Sequence, residues 1–135
     1  MKNTLCKITE NFNIPEKFKG STCNNTDLCL YTSFKIGGPA PLFIEPESVS
    51  DLCIILDALR AQHIDFFILG GGTNVVIADE GIPVPVISTR RFNEITVSEN
   101  EEGLVILCGS GTVIENLIQY CIDSELEGLE NFAGL

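Results

Sequence analysis

The residues with the plainest chemical potential are Gly70-Gly71-Gly72-Thr73-Asn74, which follow a short apolar run at 66–69. Three successive glycines after a buried-type strand let backbone N–H groups converge on an anion with no Cβ in the way. Thr73 adds a hydroxyl and Asn74 a side-chain amide, donors that need no net positive charge. A diphosphate is the natural guest; the alternative is a tight turn joining two strands. The loop is not a P-loop, because no Gly-Lys-Ser or Gly-Lys-Thr follows. It also lacks the G-x-G-x-x-G spacing and the ensuing helix of a dinucleotide-binding Rossmann unit.

A second glycine pair, Gly109 and Gly111 around Ser110, precedes a helical pattern. It either offers that helix N-terminus to a ligand or only turns strand into helix. Other catalytic material is sparse. His63 follows the apolar stripe of the first helix and reads as a helix-end histidine rather than a base. Glu127 and Glu130 flank a glycine at a turn, where surface or capping roles are expected, and no Ser, His, Asp grouping has the context of a hydrolase. The adjacent cations Arg90 and Arg91 are expected to offset nearby carboxylates rather than to meet a phosphate.

The whole chain frames these residues. It has 135 residues, about one domain by length, with 44% hydrophobic and 20% charged residues, a globular composition. Eight Lys and Arg against nineteen Asp and Glu leave a net charge of −11, which argues against a nonspecific grip on nucleic acid or anionic lipid. Any anionic ligand must be held by local groups. Cys6, Cys23, Cys29, Cys53, Cys108 and Cys121 include no Cys-x-x-Cys pair and have one histidine to join them, so no metal site is expected. They read as reduced thiols, several in apolar core contexts. Residues 1–10 carry no long apolar stretch of the secretory kind, and the longest clean apolar run, 104–108, is far short of a membrane span. A soluble, cytoplasmic protein is expected.

The elements that must position the loops follow from periodicity. Residues 1–25 read as an N-terminal arm, with Pro15 ending any short helix. Residues 30–44 suggest extended chain broken at Gly37, Gly38 and Pro39, and Pro41 and Pro46 bracket a strand at 42–45. A helix is predicted over 49–62, with Ser48 as N-cap and Leu52, Ile55, Leu56 and Leu59 as its buried stripe. Strands are expected at 66–69 and 75–78. Pro83 and Pro85 mark 82–89 as an edge or a bulge rather than a central strand. A hairpin is expected from strands at 94–97 and 104–107. A second helix follows, with Thr112 and Glu115 as a capping box and Ile114, Leu117, Ile118, Cys121 and Ile122 buried. The order indicates an α+β or mixed α/β arrangement.

Three segments together carry a resemblance: Tyr31-Thr32-Ser33-Phe34-Lys35-Ile36-Gly37-Gly38-Pro39-Ala40, Ile68-Leu69-Gly70-Gly71-Gly72-Thr73-Asn74-Val75-Val76, and Glu127-Gly128-Leu129-Glu130-Asn131-Phe132-Ala133-Gly134. In this order and spacing they resemble the UDP-N-acetylenolpyruvoylglucosamine reductase (UDP-N-acetylmuramate dehydrogenase) family, from about Thr26 onward. The resemblance implies an α+β fold, the N-terminal part of a PCMH-type (vanillyl-alcohol-oxidase-like) FAD-binding domain. It divides the chain into an arm at 1–25 and an FAD-binding domain at 26–135, incomplete at its C-terminus.

In that family NADPH reduces FAD, and the reduced flavin passes a hydride to UDP-N-acetylglucosamine enolpyruvate in peptidoglycan synthesis. By motif match, Gly70, Gly71, Gly72, Thr73 and Asn74 would hold the FAD diphosphate. Gly109, Ser110, Gly111, Gly128, Leu129, Ala133 and Gly134 match a second flavin-facing segment. Two departures are Val84 where the family usually has glycine and Ile114 where it commonly has an aromatic. The family continues after Ala-Gly-x with Pro-Gly-x-x-Gly-Gly and a substrate domain. Its activating and protonating arginine, serine and glutamate have no counterpart in these residues, so no catalytic residue is named. The resemblance thus implies a flavin-binding portion that is inactive alone and lacks a C-terminal half. Two alternatives stand beside it: a non-catalytic flavin-binding module needing a partner, and another PCMH-type flavoprotein such as an oxidase of small alcohols.

Overall fold

Parallel strands buried on both faces need near-continuous apolar sequence, and the runs at 40–44 and 86–88 supply it, while a third at 67–69 leaves Ile68 exposed. They belong to the first of two units, residues 1–91 and 92–135, in a computed structural model that describes residues 12–101 and 103–129. The strands of the first unit are β1 (Ser21–Asp27), β2 (Pro39–Glu45), β3 (Phe67–Leu69) and β4 (Val86–Ser88), arranged in space as β1-β2-β4-β3. β1 runs antiparallel to β2, with Ser21 opposite Glu45 and Asp27 opposite Pro39. β4 is parallel to both its neighbours, and Phe43 and Phe67 each lie level with Val86.

Helix α1 (Val49–Ala61) covers one face of this sheet, and it starts where its cap dictates. The Ser48 hydroxyl accepts from the Asp51 amide at 3.1 Å, satisfying one of the donors that a helix start leaves open. Ile55 and Leu59 are wholly buried against Leu42, Ile44, Ile87 and Phe12, with Leu52 and Leu56 partly buried beside them. Burying each such aliphatic side chain contributes roughly 1.5–3 kcal/mol relative to exposure. Leu28, Ala40, Phe43, Leu69, Ile77 and Val86 form a second cluster. Residues 70–74 leave the sheet from Leu69, a member of that cluster.

Several expectations need correction. The segment with Pro83 and Pro85 is no edge or bulge: β4 is internal, with a partner on each side. Both prolines precede the strand, and Pro85 uses its carbonyl to accept from the Phe67 amide at 2.9 Å, so the missing N–H costs no ladder bond. Residues 75–78 are not a strand; they pack Ile77 inward while Ala78 accepts from the Gly38 amide at 2.8 Å. β2 begins at Pro39 and contains Pro41, which is tolerated because β4 pairs only with Phe43 and Ile44 beyond it. Within 30–44, chain expected to be extended begins with the end of a 3-10 turn, Leu28–Tyr31. Residues 21–25 of the segment read as an arm lie in β1, and Phe12 is buried in the core.

The second unit holds a hairpin of β5 (Ile95–Asn100) and β6 (Gly103–Cys108), with Ile95 opposite Cys108 and Asn100 opposite Gly103. Helix α2 (Ile114–Asp123) buries Ile118 and Cys121 but leaves Ile122 exposed, so the expected stripe is narrower than its sequence pattern. The capping box does not form. Val113, not Thr112, is the N-cap and supplies no side-chain bond; Glu115 therefore stands one position too early to reach back. The Thr112 amide instead donates to the Gly109 carbonyl at 3.0 Å, and its buried Oγ1 has no hydrogen-bond partner among the described residues.

The five described cysteines are free. Only Cys121 is a core residue; Cys29 is half-buried, and Cys23, Cys53 and Cys108 are exposed, contrary to the expectation that several fill the interior. Among the described residues no helix is long and apolar enough to cross a membrane.

Candidate functional site

Gly72 is the fixed point of the glycine loop. It has φ +74°, and a Cβ there would overlap the Tyr31 carbonyl oxygen and lie 3.1 Å from the Thr32 Cα. The close approach is held by a hydrogen bond from the Ser33 amide to the Gly72 carbonyl at 3.0 Å. Only glycine meets both demands. Gly71 differs, because a Cβ there would meet nothing nearer than the Thr73 Cγ2 at 3.9 Å. Its missing side chain serves no packing need of the described residues and leaves an open approach to the backbone.

Arg90 fastens the other carbonyl. Its Nη2 donates to the Gly71 carbonyl at 3.0 Å and to the Tyr31 carbonyl at 2.8 Å. The guanidinium lies 5.1 Å from the centroid of the Tyr31 ring, which in turn contacts the buried Phe43 ring at 4.3 Å. The loop is thus tied through Tyr31 to the sheet core. Arg91, by contrast, reaches Glu45 at 3.7 Å and Glu47 at 3.5 Å and donates to the Ser21 hydroxyl at 3.1 Å. Offsetting carboxylates, the role expected of both arginines, belongs to Arg91; Arg90 pairs with backbone.

The consequence is an asymmetric loop. The carbonyls of Gly71 and Gly72 are both engaged by protein, while no hydrogen bond joins the amides of Gly71, Gly72, Thr73 or Asn74 to another described residue. In a planar trans peptide the C=O and the following N–H point in opposite directions. The Gly72 amide therefore points away from Arg90, and the Thr73 amide away from Ser33. Gly71, Thr73 and Asn74 are exposed, Gly70 is half-buried and Gly72 is buried. Open successive backbone donors are what an anion-holding concavity is built from, so these residues offer donors to a phosphate group without a lysine.

The second glycine pair is built inside the second unit. The Gly109 amide donates to the Glu94 carbonyl at 2.9 Å and the Gly111 amide to the Phe92 carbonyl at 2.8 Å. A Cβ at Gly109 would strike the Phe92 carbonyl oxygen, so this glycine has a packing reason of its own. Ser110 is exposed one residue away. Gly128 is exposed with φ +117°, and Leu129 is half-buried. Ala133 and Gly134 lie outside the described residues. His63 is exposed just past the end of α1, as its sequence position suggests. No group of three or more His, Cys, Asp or Glu that could hold a metal ion occurs among the described residues.

Sequence reasoning overlooked Tyr31, Ser33 and Arg90 as parts of the loop's support. Tyr31 and Ser33 lie inside the first of the three resembling segments, and Arg90 is a cation in an acidic chain, but only the fold brings all three to the glycines.

Residues 40–130 match the FAD binding domain family. The chain belongs to that family. Its α+β architecture is that of the PCMH-type FAD-binding domain, of which it represents the N-terminal part. It is 37% identical over 115 residues to UDP-N-acetylenolpyruvoylglucosamine reductase of Treponema pallidum, covering 84% of this chain and 32% of that protein. The reductase of Borrelia garinii is 36% identical over 132 residues, covering 97% of this chain and 41% of the relative. The chain thus spans about a third to two-fifths of the length of these relatives. Among solved structures, UDP-N-acetylenolpyruvylglucosamine reductase from Thermus caldophilus superposes with a TM-score of 0.58 at 28% identity, over 87% of this chain and 38% of that one. Cholesterol oxidase from Brevibacterium sterolicum gives a TM-score of 0.60 at 12% identity over 84% of this chain and 22% of the oxidase, a likeness of fold alone.

Proposed function

We propose that this chain is the diphosphate-holding part of an NADPH-dependent, FAD-mediated reductase that converts UDP-N-acetylglucosamine enolpyruvate to UDP-N-acetylmuramate in peptidoglycan synthesis. The observation that carries the reading is the asymmetry of the glycine loop, whose carbonyls are tied down while its amides are free of other described residues. The family match and the reductase relatives support FAD as the guest. In this reading Gly71, Gly72, Thr73 and Asn74 hold the diphosphate through backbone donors and the Thr73 hydroxyl. Gly70 leads the chain into the cradle. Gly109, Ser110, Gly111, Gly128, Leu129, Ala133 and Gly134 are proposed as further flavin-binding residues by motif match alone.

When bound, FAD supplies hydride transfer from NADPH to the enolpyruvyl group. These residues bind and orient the cofactor; none of them activates or protonates the substrate, so the chain by itself is expected to hold flavin without turnover. A nucleotide-sugar substrate and NADPH assign the activity to the cytoplasm. The partner this reading requires is polypeptide supplying the remaining flavin and substrate contacts.

Titration of FAD with the purified chain, followed by quenching of flavin fluorescence, tests the reading. Weak, saturable binding that Gly71→Val abolishes is expected. Unchanged affinity in that variant would show that the loop is only a turn, and a tight stoichiometric yellow complex would contradict the weak grip. NADPH oxidation with UDP-N-acetylglucosamine enolpyruvate should stay at background for the chain alone.

A further inference from the structure

We infer that Arg90 is a positioning residue for anion binding: its guanidinium, spanning the carbonyls of Tyr31 and Gly71, sets the peptide plane that aims the Gly72 amide at the ligand. The inference rests on the diphosphate reading of the loop. Its ground is geometric. One guanidinium nitrogen bonds two carbonyls that are 40 residues apart in sequence, at 2.8 and 3.0 Å, and the group sits over the ring of one of them. Fixing the Gly71 carbonyl from one side fixes the Gly72 N–H toward the other, because the peptide is planar.

Ser33 does the same for the next peptide through the Gly72 carbonyl. The two supports differ in kind. The Ser33 bond is backbone to backbone and indifferent to the side chain, whereas the Arg90 bond depends on side-chain chemistry. The sequence thus controls one half of the cradle through a single residue. No ion pair occupies Arg90 among the described residues, while its neighbour Arg91 is paired with two carboxylates. Its charge therefore lies behind the loop in a chain whose net charge is −11. Lysine is a poorer substitute, since a compact ammonium on a flexible stem lacks the guanidinium plane that lies over the Tyr31 ring while one nitrogen bonds both carbonyls.

Amide NMR of the full chain titrated with inorganic pyrophosphate, and separately with FAD, reads this directly. In the wild type the Gly72 and Thr73 resonances should move saturably. Arg90→Lys should weaken binding roughly threefold to tenfold and Arg90→Ala by about tenfold or more, since hydrogen bonds from a charged donor are the strong ones. Millimolar guanidinium should restore part of the affinity of Arg90→Ala, which a merely structural role would not produce. The resonances of Ile55 and Leu59 check that each variant is folded; if Arg90→Ala is not, Arg90→Lys decides. Wild-type affinity in the folded variants would overturn the proposal alone. Loss in Arg90→Ala without loss in Arg90→Lys would also overturn it, showing charge rather than positioning. If neither probe moves the wild-type loop, this proposal and the diphosphate reading fall together.

Discussion

The backbone of Gly72 rests against that of Tyr31, so closely that the smallest side chain at residue 72 would occupy the place of the Tyr31 carbonyl oxygen. Its neighbour Gly71 has open space at the same position. Two adjacent glycines thus answer different requirements, one of the fold and one of access.

Stability should separate them. Gly72→Ala combines a positive φ with a backbone collision and is expected to cost about 2–3 kcal/mol. Gly71→Ala meets neither obstacle and should stay within about 0.5 kcal/mol of the wild type. Urea denaturation followed by circular dichroism checks the pair; equal midpoints would show that the contact with Tyr31 is not maintained in solution.

Asp51 is a buried carboxylate, 4% exposed, in the first turn of α1. Its two oxygens accept from the Lys19 amide at 3.2 Å and the Glu47 amide at 3.3 Å, joining the segment before β1 to the start of the helix. Asp51→Ala leaves both donors without this acceptor and should lower stability by about 1–3 kcal/mol. Asp51→Asn keeps one acceptor oxygen and should lie between. The order of the three unfolding midpoints is the measurement, and an alanine variant as stable as the wild type would contradict the role.

Val113 caps α2 with a side chain that cannot bond, and it is 54% exposed in an extended conformation suited to a better cap. Val113→Asp should stabilise the second unit by about 0.5–1 kcal/mol, through a side-chain bond to an open amide and through the helix dipole. Hydrogen exchange of the α2 amides reads this locally. Faster exchange in the variant would mean that the helix does not begin at Ile114.

Local pattern was legible where local physics decides. Ser48 and the spacing of Leu52, Ile55, Leu56 and Leu59 mark α1 because cap and stripe are encoded within a few residues of each other. The loop at 70–74 stood out for the same reason. Misreadings fall where a distant segment decides. Pro83 and Pro85 look like edge signals until β2 and β3 are seen to pair with the residues just after them. Ser21–Asp27 is polar and exposed over much of its length, so only its partner β2 reveals it as a strand. Thr112 satisfies the letter of a capping box, but its amide is drawn into a turn with Gly109, shifting the helix start by one residue. Arg90 was visible as a cation, yet its role depends on Tyr31, 59 residues earlier in the chain.

The position of β4 has a consequence for the order of events during synthesis. Among the described residues β3 pairs with β4 alone, and β2 meets β3 only through it. A nascent chain that has emerged only as far as residue 85 can form α1 and the β1–β2 pair, but β3 must wait. The glycine loop, which hangs from the end of β3, waits with it, and its Gly71 carbonyl waits two residues longer for Arg90. Long-range parallel closure of this kind is slow relative to helix formation. This loop, though encoded by five consecutive residues, is therefore among the last features of its unit to take shape.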